Sequence, residues 1–313
     1  MGRKRKYGRG VHGVLVLNKP ADFTSNVALQ RAKRLFYANK AGHTGSLDPL
    51  ATGVLPICFG EATKFSQYLL DADKAYLSTF RLGVATSTAD CEGEITSSID
   101  ASEVEGSDVE AALEQFRGDI LQVPPMVSAL KYQGQPLYKL ARQGIEVERP
   151  PRPVCIYSLE MVDFRPGVVA EVDVAVTCSK GTYIRSIAHD LGQSLGVGGH
   201  VARLHRTQAA GFNESQAISL EDLELERGDL TAEVLDHHLL PVDSALRDMP
   251  IIDLDSTSAH YFRQGQAIMD LRVYRLGEQG DTVRVCQTEG QFLGLGEITD
   301  DGCVAPRRVM VFD

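Results

Sequence analysis

No apolar run in this sequence approaches the roughly 20 residues that a membrane-crossing helix needs. The six cysteines (Cys58, Cys91, Cys155, Cys178, Cys286, Cys303) are widely spaced and form no Cys-x-x-Cys pair. That pattern argues against zinc and against a disulfide framework, and fits a reducing cytoplasm. Internal repeats and low-complexity tracts are absent. Residues 1–10 are basic, but no apolar segment follows them, so a secretory signal is not expected. The glycine-rich stretch 42–53 contains neither Gly-x-x-x-x-Gly-Lys-Ser/Thr nor Gly-x-Gly-x-x-Gly, which removes a nucleotide-phosphate cradle. Ser46 lacks the Gly-x-Ser-x-Gly elbow of a hydrolase nucleophile.

Positive charge is also scarce: the net is −10. Its distribution matters more than its total. Residues 1–70 hold eleven Lys/Arg against three acids, a net of +8, and residues 121–152 hold five against two, a net of +3. The remainder therefore carries −21. A basic face on an acidic body still attracts a polyanion, because the local field does the steering. The first ten residues read equally well as a solvated charged tail.

What is present is ordinary for a globular chain: 43% apolar and 24% charged residues. With 313 residues, one large domain and a smaller one are expected. Residues 13–17 read as a strand, and Thr24 or Ser25 caps a helix to about Tyr37 with Ala28, Ala32, Leu35 and Phe36 on one face. A helix near 61–71 should turn Ala62, Phe65, Leu69 and Leu70 inward. Alternation over 75–83 predicts a strand that puts Tyr76, Phe80 and Leu82 on one side. A short helix runs from Asp108 to a stop at Gly118. Residues 123–153 mix prolines and glycines with basic and aromatic residues and read as an extended arm. A strand pair at 154–163 and 168–178 and a helix to about Leu195 follow. The stretch 219–255 is acidic and partly helical, with a domain boundary near its end. Short strand-like runs such as 282–286 and 292–296 then predict a small β-rich domain.

The stretch Gly42-His43-Thr44-Gly45-Ser46-Leu47-Asp48-Pro49-Leu50-Ala51-Thr52-Gly53-Val54-Leu55-Pro56 carries the chemistry. A lone carboxylate, Asp48, sits among glycines, prolines and small hydroxyl residues, which suits a group held at a fixed place in a cleft. His43 and Asp48 lack a third ligand at diagnostic spacing, so a metal is not expected there. What remains is nucleophilic or base chemistry by one carboxylate.

This stretch resembles the catalytic motif of the TruB-type tRNA pseudouridine synthases. Gly13-Val14-Leu15-Val16-Leu17-Asn18-Lys19-Pro20, Asp73-Lys74-Ala75-Tyr76, Ser179-Lys180-Gly181-Thr182-Tyr183-Ile184-Arg185 and Val304-Ala305-Pro306-Arg307-Arg308 match that family as well. The likeness spans nearly the whole chain. It implies an α+β fold: a mixed, largely antiparallel sheet flanked by helices, over residues 1–250, and a small PUA-like β domain over 251–313. It implies isomerisation of the T-loop uridine, position 55 of tRNA, without cofactor or metal, by a cytoplasmic monomer. Asp48 matches the nucleophile, and Arg185 the arginine that pairs with it and lowers its pKa. Tyr76 matches the tyrosine that stacks on the flipped base and assists proton removal, although an aromatic on a strand also packs readily in a core. Tyr183 matches a second active-site tyrosine, sharing a face with Arg185 only if the chain is extended there. His43 matches the residue that fills the gap left by the flipped base. Leu204 matches an apolar wall of the uracil pocket, and Lys19 and Lys64 are expected near phosphate. Lys131, Tyr132, Lys139, Arg142, Arg149 and Arg152 of the arm would meet the RNA backbone, and the C-terminal domain the acceptor end.

The chain departs from the family's usual pattern at Asn18, Ser46 and His205, none of which is Asp48, Tyr76 or Arg185. Two rival readings share the motif: a tRNA-binding, RNA-folding factor, and a synthase for a guided RNA target. The intact trio of Asp48, Tyr76 and Arg185 weighs against the first, and the short basic N-terminus against the second.

Overall fold

The computed structural model describes residues 8–311, so Arg3, Lys4, Arg5 and Lys6 of the basic tail lie outside the described residues. The apolar run at 14–17 is the centre of the strand Gly13–Lys19. It pairs antiparallel along its whole length with Thr52–Phe59, from Gly13 opposite Phe59 to Lys19 opposite Gly53. That partner strand was not expected, since Gly53 and Pro56 read as turn residues. Pro56 has no N–H to give, but its carbonyl still accepts from the Thr44 backbone N–H at 3.1 Å, so the strand continues through it.

The large sheet runs in the order Ile218–Ser219, Gly13–Lys19, Thr52–Phe59, Gly199–Ala209, Lys74–Leu82, Ala170–Cys178, Arg152–Arg165, Gly118–Gln122. Gly13–Lys19 with Ile218–Ser219, and Thr52–Phe59 with Gly199–Ala209, are parallel; the other described pairings of this sheet are antiparallel. The fold is thus the expected mixed, largely antiparallel α+β sheet. The helices Ser25–Leu35, Gly106–Leu113 and Ile184–Ser194 contribute Leu29, Val109 and Leu191 to its main core. Thr24 caps the first of these by accepting from the Val27 N–H.

Three local expectations change. The helix expected near 61–71 divides at Phe65 into a 3-10 turn, Gly60–Lys64, and a short helix, Ser66–Leu70. Leu70 points outward, 44% exposed. The arm is not simply extended: it holds a small hairpin, Lys131–Tyr132 with Gln135–Pro136, and the helix Leu137–Ala141. The strand Gly199–Ala209 went unrecognised although it is central, because charged residues interrupt its apolar alternation.

A second sheet, in the order Ile251–Leu254, Thr282–Gln287, Gln291–Ile298, Cys303–Val309, Ile268–Met269, has its own core around Phe262, Val283, Val285 and Leu293. It meets the first body through Phe65 and Phe292, whose ring centroids are 5.3 Å apart, and through Arg284 and Asp243 at 3.3 Å.

Gly53 marks the tightest point near the candidate site. Its φ is +103°, and a Cβ there would meet the Arg206 carbonyl oxygen at 2.3 Å. Gly53→Ala is therefore expected to lower unfolding stability by about 1–3 kcal/mol, measured by urea denaturation.

Candidate active site

The residues around Asp48 lie between the short strand Ala41–His43 and Thr52–Phe59 without regular structure of their own. Side chains from three other elements hold them. The Ser25 hydroxyl donates to the Leu47 carbonyl at 3.1 Å and accepts from the Leu47 N–H at 2.7 Å. The Lys19 ammonium donates to the Pro49 carbonyl at 3.1 Å, and Arg206 Nη2 to the Gly45 carbonyl at 3.2 Å. Asp48 is thus pinned on both sides, and a loop fixed this way holds its carboxylate with little freedom to turn aside.

Arg185 supplies the counter-charge. Its Nη2 donates to Asp48 Oδ1 at 3.0 Å, while its Nε lies 2.8 Å from Oδ2 as a charge contact outside hydrogen-bond alignment. The same guanidinium donates to the carbonyls of Thr88 (3.1 Å) and Val127 (2.8 Å) and stands 3.4 Å from Asp90 Oδ2. Arg185 is 2% exposed and Asp90 3%. A third of the Asp48 side chain still reaches solvent, enough for a substrate to touch it. Loss of hydration nevertheless governs this carboxyl and pushes its pKa up. Arg185 pulls it down as expected, Asp90 adds to the rise, and Lys19 opposes it; the net direction is upward, which corrects the expectation of a lowered value.

Tyr76 faces the same space from Lys74–Leu82, with Arg206 directly opposite in the neighbouring strand. Burial raises the phenol pKa and the Arg206 charge opposes that, so the hydroxyl is protonated at neutral pH in the free protein. Tyr183 itself is extended (φ −104°, ψ 108°), but the helix starts at Ile184 and holds Arg185, so the extended run that would put the two on one face ends at Tyr183. Gln122 fixes it there, accepting from the Tyr183 N–H at 2.7 Å and donating to its carbonyl at 3.0 Å. His43 is half-buried opposite Ile57, with its Nδ1 unpartnered among the described residues. Burial, then Arg206, lowers its pKa, which keeps the ring neutral. Leu204 is buried on the face of its strand that also turns Arg206 inward.

The two lysines stand elsewhere than expected. Lys19 is fully buried and bonds the carbonyls of Pro20, Phe23 and Pro49; burial brings its pKa down to about 8, with Asp48 the strongest opposing influence. Lys64 bonds Glu61 Oε2 at 2.5 Å and the Val309 carbonyl at 2.9 Å, fastening the last strand of the second sheet to the first body. In contrast, Lys131, Tyr132 and Arg142 are exposed on the arm, with the Arg142 guanidinium 5.6 Å above the Tyr138 ring. Between the arm and Tyr183 lies a groove of about 550 Å³ lined by Leu70, Leu130, Arg152, Val154, Lys180 and Tyr183.

Two participants escaped sequence reasoning. Asp90 lies in a loop with no motif signal, its carboxylate accepting from the Glu92 N–H at 3.1 Å. Arg206 could have been found: it shares strand parity with Leu204, and an arginine at an inward position of a strand needs a polar site to serve.

The architecture is the pseudouridine synthase fold. Similar solved structures are "Structure of H/ACA RNP bound to a substrate RNA containing 2'-deoxyuridine" (TM-score 0.70, 22% identity, covering 99% of this chain and 92% of that one) and "Crystal Structure of a Cbf5-Nop10-Gar1 Complex" (0.68, 24%, 96% and 84%). At these identities the likeness concerns the fold alone. Family models match in series: TruB family pseudouridylate synthase, N-terminal domain, over residues 33–184; tRNA pseudouridylate synthase B C-terminal domain over 185–247; and pseudouridine synthase II TruB, C-terminal, over 250–310. The chain belongs to the TruB family of pseudouridine synthases, and is an isomerase of that class. It is 63% identical over 310 residues to the tRNA pseudouridine synthase B of Saccharophagus degradans, with 99% of each chain covered. Over the same coverage it is 54% identical to that of Stutzerimonas stutzeri and 52% to that of Pseudomonas aeruginosa.

Proposed function

We propose that the chain converts the T-loop uridine of tRNA, position 55, to pseudouridine with Asp48 as nucleophile. The family and relatives that match end to end support a tRNA uridine as the substrate, and the T-loop position is our own assignment. The single observation that carries the role is a carboxylate pinned by Lys19, Ser25 and Arg206 through its flanking residues, paired with a buried arginine and still open to solvent. In the overall reaction the bond from ribose C1′ to N1 breaks and one from C1′ to C5 forms. C5 loses a proton and N1 gains one, so no oxidant, cofactor or metal enters the balance.

Tyr76 offers a ring face for the flipped base and a protonated hydroxyl for its polar edge. Leu204 walls the base, Tyr183 borders the groove, and His43, neutral and unpartnered at Nδ1, fills the vacated stack. Lys19 acts by positioning Asp48, and Lys64 by joining the two bodies, in place of the phosphate contacts expected of them. Lys131, Tyr132 and Arg142 meet the T-stem backbone, while residues 251–313 form an RNA-contact module behind a catalytic unit of residues 1–250 and reach the acceptor end. The protein works as a cytoplasmic monomer.

The deciding experiment is tritium release from uridine labelled at C5 in a T-stem-loop RNA. Stoichiometric release is expected; tight binding without release would instead favour the RNA-folding factor. The pH profile adds a second check. Asp48 must be ionised to attack, so kcat/KM falls as pH drops through its folded pKa. Burial places that midpoint above the roughly 4 of a free aspartate. Asp90→Asn removes a neighbouring negative charge and should move the midpoint down.

A further inference from the structure

Away from the Asp48 cleft, the helix Leu220–Arg227 and the 3-10 turn Ala232–His238 bring Glu226, His237 and His238 to one point. His238 Nε2 lies 2.7 Å from Glu226 Oε2, and His237 Nε2 lies 3.5 Å from Glu226 Oε1. One donor atom from each of the three residues falls within 4.8 Å of the other two. The two rings stand side by side, centroids 3.9 Å apart and 40° between planes. His237 Nδ1 is 2.9 Å from the Val234 carbonyl oxygen. A carbonyl only accepts, so Nδ1 is the nitrogen that donates there, and Nε2 is the nitrogen left turned toward the carboxylate. A backbone carbonyl on the far nitrogen is also how metal-binding histidines are oriented.

We propose that Glu226, His237 and His238 form a binding site for one divalent transition-metal ion of the Zn²⁺ class. Two imidazoles and one carboxylate suit zinc, nickel or copper and do not suit magnesium or calcium. With metal–ligand bonds of about 2.0–2.2 Å in a tetrahedron, neighbouring donor atoms stand roughly 3.3–3.6 Å apart. The two histidines face different oxygens of Glu226, His237 at 3.5 Å from Oε1 and His238 at 2.7 Å from Oε2, so a small rotation of the carboxylate and of the His238 ring brings one donor from each residue to that spacing. The side chains are 32%, 62% and 21% exposed in sequence order, so an ion enters without unfolding and water completes its shell.

The ion clips two elements whose ligands are separated by up to 12 positions, which is why ligand spacing in the sequence gave no sign of it. The turn it fastens carries Asp236, which binds Arg9, and leads to Leu240, which pairs with Val14 of the first strand. Metal binding therefore locks this returning segment against the N-terminal edge of the large sheet.

The test uses untagged full-length protein stripped with a chelator and titrated with Zn²⁺ against a chromophoric competitor. One Zn²⁺ per chain is expected, with affinity falling at least about tenfold in Glu226→Gln/His238→Gln. Zn²⁺, unlike Mg²⁺, should raise the melting temperature of the wild type and slow amide exchange across residues 220–240, with neither effect in the variant. Failure to bind one equivalent, or equal binding by wild type and variant, overturns the proposal; the metal-free melting curve of the variant shows that it is folded.

Discussion

Asp48→Asn is expected to abolish tritium release, lowering kcat by about 10⁴-fold or more, while RNA binding stays within a few-fold of wild type. The amide keeps the shape of the carboxylate but has no anionic oxygen with which to attack. The loss is interpretable only if the variant folds, and the electrostatics at Asp48 favour that outcome. Burial raises the folded-state pKa of Asp48, so the folded protein holds that proton more tightly than the unfolded chain. Ionisation of Asp48 therefore weakens the fold as pH rises through the folded pKa, and a neutral amide is free of that penalty. Arg185 keeps Asp90 and the carbonyls of Thr88 and Val127 as partners. Urea denaturation at pH 7 should thus show stability retained or slightly increased alongside the lost activity. Substantial release by Asp48→Asn would remove Asp48 from the nucleophile's role.

The contrast between what could and could not be read in advance has a physical basis. The strand Lys74–Leu82 was legible because Tyr76, Phe80 and Leu82 alternate with outward residues, and the helix after Thr24 because its cap and apolar face coincide. Thr52–Phe59 was hidden by Gly53 and Pro56, whose local preference for turns is overridden by pairing on both sides. Asp48, Tyr76 and Arg185 were found through a motif, which fixes identity but not environment. The upward displacement of the Asp48 pKa could not be read from it, since burial and Asp90 come from elements far apart in the chain. Lys19 misled for the same reason. A lysine beside a catalytic loop suggests phosphate, whereas three carbonyls had already taken its ammonium.

Arg185→Met should produce the largest loss of stability at this site. Arg185 is the cation between Asp48 and Asp90, almost wholly buried, and its fork also serves two backbone carbonyls. Removing one partner of a buried charge cluster leaves the other charges uncompensated, at a loss of about 3–5 kcal/mol. The sign of the pH dependence is fixed by the chemistry. Without the guanidinium, Asp48, already raised by burial, loses the main influence that holds its pKa down, so the deficit is full above its folded pKa and shrinks as pH falls through it. Denaturation at pH 8 and pH 5 should therefore show a larger deficit at pH 8, and adding Asp90→Asn should recover part of it. Arg185→Lys separates charge from geometry. Its ammonium restores one positive charge but lacks the planar fork that spans two carboxylates and two carbonyls. It should regain part of the stability while leaving kcat about 10²-fold or more below wild type. Equal recovery of activity and stability by lysine would mean that Arg185 acts only as a counter-charge, with no part in aiming Asp48.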